Sequence, residues 1–159
     1  MINRFQAHIH VLPEDHANGQ LANGFLLGLD QSGLTKIQVL PEAGGWLVLL
    51  DVFESDHVAE MDRYPKRFMI LLIDFDGDEG RVNQAKRRIP DRLLDIVFIL
   101  GALTEPEELK RTLGAYETIG GQLAEDCRLD TDTTWGHALL RHNAEEIGRL
   151  RRTVRTILF

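Results

Sequence analysis

The chain is short of cysteine, of long apolar runs and of positive charge, and each shortage removes a class of protein. A single cysteine, Cys127, in 159 residues leaves no internal disulfide and no cysteine-rich zinc site. No apolar run approaches the roughly 20 residues that cross a bilayer. The opening "MINRFQAHIH" lacks the basic-then-apolar layout of a secretory signal. The expectation is therefore a cytoplasmic chain with no membrane partner. Lys and Arg number 18 against 25 Asp and Glu, a net charge of −7, which argues against diffuse binding to nucleic acid. What remains is ordinary for a globular protein, 43% apolar and 27% charged, with enough length to bury one sizeable core.

The scarce positive charge is clustered. Arg81, Lys86, Arg87, Arg88 and Arg92 form one group, and Arg141, Arg149, Arg151, Arg152 and Arg155 another. Along the chain, strand-like and helix-like segments alternate. "FQAHIHVL" (5–12), "TKIQVL" (35–40), residues 67–73 and "DIVFILG" (95–101) read as strands. Residues 15–28, 46–61, 79–88, 106–120 and 135–158 carry helical periodicity or helix punctuation. This order predicts an α/β fold: a mostly parallel four-stranded sheet with helices on both faces, plus C-terminal helices. Residues 1–103 form the expected α/β core, and 104–159 a helical extension packed on it.

The most informative stretch is "MILLIDFDGDEG" (69–80), an apolar strand that runs straight into Asp74, Asp76, Asp78 and Glu79. Sites in open parallel sheets form beyond the carboxyl ends of the strands. The first strand also ends in acids, Glu14 and Asp15, followed by His16. If the two strands are neighbours, Glu14, Asp74 and Asp76 meet on one rim. Asp74 and Asp76 differ by two, so in extended chain they share a side, with Phe75 turned into the fold. Crowded carboxylates raise one another's pKa, and a divalent cation removes that conflict. All-oxygen ligands suit Mg²⁺ or Mn²⁺, with Asp74, Asp76 and Asp78 as the candidate metal ligands and Asp15, His16 and Glu79 as accessory residues. An EF-hand is excluded, because its positions 6 and 12 would be Glu79 and Ala85.

A strand ending in Glu14, then helix, strand and helix, then a strand ending in Asp74-x-Asp76, resembles the TOPRIM domain of topoisomerases, primases and overcoming-lysogenization-defect nucleases. The resemblance spans about residues 5–101. It implies that Glu14 acts as general acid or base and that Asp74 and Asp76 hold Mg²⁺. Two positions depart from the pattern: Asp15 stands where Gly usually follows the Glu, and Glu79 stands where Gly commonly follows the Asp pair. With two tyrosines, Tyr64 and Tyr116, and no second domain to clamp a duplex, hydrolysis fits better than strand passage.

The expected activity is thus Mg²⁺-dependent, nuclease-like cleavage of phosphodiesters in nucleic acid. Arg81, Lys86, Arg87 and Arg88 would guide the polyanion, and a separate ATPase is a candidate partner. Two alternatives stand beside it. One is a non-catalytic α/β interaction module. The other is a phosphotransfer or phosphatase-type domain using Asp74: "LLIDFDGD" looks like the first haloacid-dehalogenase motif, and a receiver would use Glu14–Asp15, Asp74 and Thr104. The segment "WGHALLRHNAEEIGRL" (135–150) has no counterpart in the TOPRIM pattern.

Overall fold

A computed structural model describes residues 2–159. Its centre is a parallel sheet of β1 (His8–Pro13), β2 (Ile37–Val39), β3 (Arg67–Leu72) and β4 (Val97–Leu100), in the order β2-β1-β3-β4. The expected α/β fold is present. β1, β3 and β4 are close to continuous apolar runs because helices cover both their faces. On one face Ile9, Val11, Ile70 and Phe98 pack against α1 (His16–Leu27), α6 (Pro106–Leu113), α7 (Tyr116–Leu129) and α8 (Ala144–Leu158). On the other, Leu12, Met69, Leu71 and Ile99 pack against α3 (Trp46–Val52), α4 (Val58–Arg63) and α5 (Arg81–Lys86). A short α2 (Gln31–Leu34) precedes β2.

Local chemistry sets the helix ends. Asp15 caps α1, its side chain accepting from the Asn18 N–H, and Asp30 caps α2 in the same way through Gly33. The segment expected as one helix over 46–61 is interrupted by a π turn, Phe53–His57, which seats the fully buried Phe53 against the sheet. The helix expected over 106–120 is two helices. Gly114, at φ 98°, ends α6, and the chain restarts at Tyr116 to run on to Leu129. α7 lies so close to α1 that a Cβ on Gly24 would come 2.7 Å from the Glu117 Cα.

The segment 135–150, which had no assigned role, covers the free edge of β4. The Ile99 N–H donates to Glu146 Oε2 at 2.9 Å, and the Gly101 N–H to Asn143 Oδ1 at 3.2 Å. Asn143 Nδ2 returns a bond to the Gly101 carbonyl at 2.9 Å, and the Leu103 N–H donates to the Leu139 carbonyl at 2.8 Å. Side chains and one loop carbonyl thus take the place of a fifth strand along the β4 edge. Glu146 is 4% exposed and Asn143 2%. The Glu146 charge is balanced by Lys86 and Arg149, each at 2.7 Å.

Candidate functional site

The strand order reverses between β1 and β3, and crevices for ligands form at such points beyond the carboxyl ends. Pro13 pairs with Leu72 at the ends of these strands, and the Glu14 N–H still donates to the Leu72 carbonyl at 2.8 Å. Glu14 therefore sits beside the chain leaving β3, and its Oε2 accepts from the Asp74 N–H at 2.6 Å. The acid loop is held on its other side by the continuation of β4. Ile73 donates to Leu100, Phe75 to Ala102 and Gly77 to Leu103. Phe75 is 2% exposed, turned into the fold as the alternation predicts.

Asn18, fully buried on the first turn of α1, ties the acids together. Its Nδ2 donates to Asp15 Oδ1 at 3.0 Å and to Asp74 Oδ1 at 2.9 Å. Among the described residues, the Asn18 Oδ1 and the Thr104 Oγ1 nearby on the loop after β4 are buried without a partner. Burial pushes the Asp74 carboxyl from the usual 3.8 to about 7; the fields of Asp15, Glu14 and Glu107 add to this and outweigh the Asn18 bond. Burial also raises Glu14, with Asp15 and Asp76 adding and the Asp74 N–H and Arg81 opposing.

Asp76 and Asp78 are not drawn to Asp74, contrary to the expected three-carboxylate platform. Asp76 takes a left-handed backbone, φ 49°, and Gly77 follows at φ 76°. The extended alternation ends there, and the exposed Asp76 carboxylate turns to Arg81 Nη2 at 3.1 Å. Asp78 serves the start of α5: its Oδ1 accepts from the Gly80 N–H at 2.8 Å and its Oδ2 from Gln84 Nε2 at 3.2 Å. Among the described residues no three His, Cys, Asp or Glu side chains gather as a metal cage. Glu79 is exposed, and His16 points outward, 3.6 Å from Glu42 rather than towards the acids.

The expected basic guide is divided. Arg81 belongs to the site: Nη1 donates to the Asp74 carbonyl at 2.7 Å, and the guanidinium lies 4.6 Å over the Trp46 ring. Lys86 pairs with Glu146, and Arg88 with Asp51 and Glu54. Arg87 is exposed. Asn18 was missed from the sequence. Its signal was the spacing Asp15-x-x-Asn18, a capping position occupied by a poor helix former whose amide has two donors to spend.

The fold and rim define an α/β protein with a carboxylate crevice at the β1/β3 reversal. Comparison with protein-family models, curated proteins and solved structures found no match. No helix among the described residues is long and apolar enough to cross a membrane.

Proposed function

We propose that the β1/β3 crevice is a TOPRIM-like, Mg²⁺-dependent site for cleaving phosphodiester bonds in nucleic acid. The observation that carries this reading is the Glu14 carboxylate held at 2.6 Å from the Asp74 backbone, with both carboxyls pushed up by burial and by each other. The donor set fits the ion. The Asp74 and Asp15 carboxylates, both bonded to Asn18, and the orphaned Asn18 Oδ1 offer only oxygens, and Mg²⁺ is commonly held by one or two carboxylates while keeping waters. Asp74 would be the main ligand. Asp76 serves by holding Arg81, and Asp78 by shaping the turn. When bound, the ion would polarise the phosphate.

The chain's own residues supply the rest. Asn18 fixes the Asp74 carboxylate, and the Asp74 N–H fixes Glu14. Glu14, with its affinity for a proton raised by burial, exchanges one with the attacking or leaving oxygen. Arg81, anchored on the Asp74 carbonyl and stacked on Trp46, presents fixed positive charge to a phosphate at the rim. The test is cleavage of DNA and RNA with Mg²⁺ or Mn²⁺, lost in Glu14→Gln and in Asp74→Asn. Loss in neither variant overturns the reading.

A phosphotransfer reading is favoured by one observation, the buried and unpartnered Thr104 Oγ1 on the loop after β4. It predicts turnover of small phosphomonoesters through a phosphorylated Asp74, with Glu14 dispensable for that step.

A further inference from the structure

At the opposite, amino end of the sheet, three arginines collect without an ion-pair partner among the described residues. The Cζ atoms of Arg67, Arg63 and Arg4 lie 5.0, 5.4 and 5.6 Å from the centre of the one Tyr64 ring. Among the described residues none of the three forms an ion pair, although the chain as a whole carries −7. Arg67 is the unusual member. It is 4% exposed, and buried arginines are ordinarily paired with an acid. Here its Nε donates to the Nε2 of His8 at 3.0 Å, while the His8 Nδ1 lies 2.8 Å from the Gln6 carbonyl. The two contacts require His8 to be neutral with its proton on Nδ1. His8 therefore orients Arg67 without neutralising it, and Glu60 acts on Arg67 only through space.

The surroundings are those of a site rather than of a solvated face. His10, 8% exposed, stands 5.4 Å from His8, and its Nδ1 is buried without a partner. It lines a cavity of about 370 Å³ with Asn3, Arg4, Phe5 and Gln38. Phe5, 79% exposed, stands edge-on to Tyr64 at 6.0 Å. Exposed positive side chains alone would be ordinary. A buried guanidinium oriented by a neutral histidine, with two more guanidinium groups on the same ring and a cavity lined by one of them, Arg4, has the chemistry to receive an anion.

We propose that this end of the protein is a second binding site, in which Arg4, Arg63 and Arg67 around Tyr64 hold a small phosphate-bearing ligand. Guanidinium groups meet phosphate oxygens through paired N–H bonds, and three positive charges match a multiply charged phosphate better than a single carboxylate. Phe5 and the cavity give the ligand's organic part an apolar wall. The site is separate from the acid crevice, since the six residues of β1 put roughly 20 Å between them.

The test is thermal melting and calorimetry with inorganic phosphate and pyrophosphate, in EDTA, against chloride of equal ionic strength. Pyrophosphate should raise the melting temperature saturably, more than phosphate, and chloride should not. Arg4→Gln combined with Arg63→Gln changes two exposed side chains, so the fold survives; it should weaken pyrophosphate binding at least tenfold. Asp74→Asn should leave that binding intact, which separates this site from the crevice. No saturable effect beyond chloride overturns the proposal. So does undiminished binding in the double variant, or binding of a DNA oligonucleotide with none of pyrophosphate.

Discussion

Replacing Asp74 with Asn tests whether the crevice stores unfavourable charge. In the folded protein this carboxyl is raised from 3.8 to about 7, first by burial. The folded state therefore binds more protons than the unfolded chain between those values, and stability falls as pH rises through that window. At about 1.36 kcal/mol per pH unit, full burial would make the cost of ionising Asp74 about 4 kcal/mol. The side chain is partly open to solvent, which screens the charge and reduces the figure to about 1–2 kcal/mol. Asn keeps the shape and can still accept the Asn18 bond. Asp74→Asn should therefore be more stable than wild type by about 1–2 kcal/mol at pH 8, and no more stable at pH 4. Urea unfolding in EDTA at several pH values, followed by the fluorescence of Trp46 and Trp135, measures this directly. In melting temperature the gain is about 2–8 °C for a chain of this size. A difference between the two proteins that does not change from pH 4 to pH 8 would refute the reasoning, because it would mean Asp74 ionises without cost.

Other expectations follow from the same geometry. Millimolar Mg²⁺ should raise the wild-type melting temperature more at pH 8 than at pH 6, since Asp74 must lose its proton to bind, and Asp74→Asn should abolish most of the rise. Asn143→Ala leaves the buried Gly101 N–H and carbonyl unpaired and should cost about 2–4 kcal/mol in urea unfolding. Gly24→Ala forces α1 from α7 and should cost about 1–3 kcal/mol by the same measurement. Charge reversal at Arg81 should weaken nucleic-acid binding and flatten its salt dependence. Reversal at Arg151, whose guanidinium is tied to Asp130, Asp132 and the Thr131 carbonyl, should affect stability instead.

The parts of the fold legible in the sequence are those written locally. Residues 68–73 and 97–100 are short apolar runs between breakers, the pattern of covered strands, and Asp15 announces α1 by its capping chemistry. Glu14 could be expected beside Asp74 because neighbouring parallel strands end on the same rim. The rest depends on contacts that sequence spacing does not encode. Asp76 leaves the Asp74 side because its backbone turns left-handed and Arg81 attracts it. Lys86 serves Glu146, 60 residues away, rather than a polyanion. Gly114 was readable as a breaker in principle, but the residues on either side are good helix formers and masked it. Asn143 and Glu146 look like ordinary helix-start residues until the bare edge of β4 is placed beside them.

That covered edge makes the chain's remote end a handle on the acid loop. Residues 73–77 hang from residues 100–104 by backbone bonds, and Gly101 and Leu103 hang in turn from Asn143 and Leu139. The connection is in series, so slack at one joint is felt at the next. A change that shifts Leu139 or Asn143 would reach the carboxylates without touching them. Residues 139–143 thus brace the acid loop from a distance, and loosening that brace at Asn143 should relax the loop while the helices after residue 104 still cover their face of the sheet.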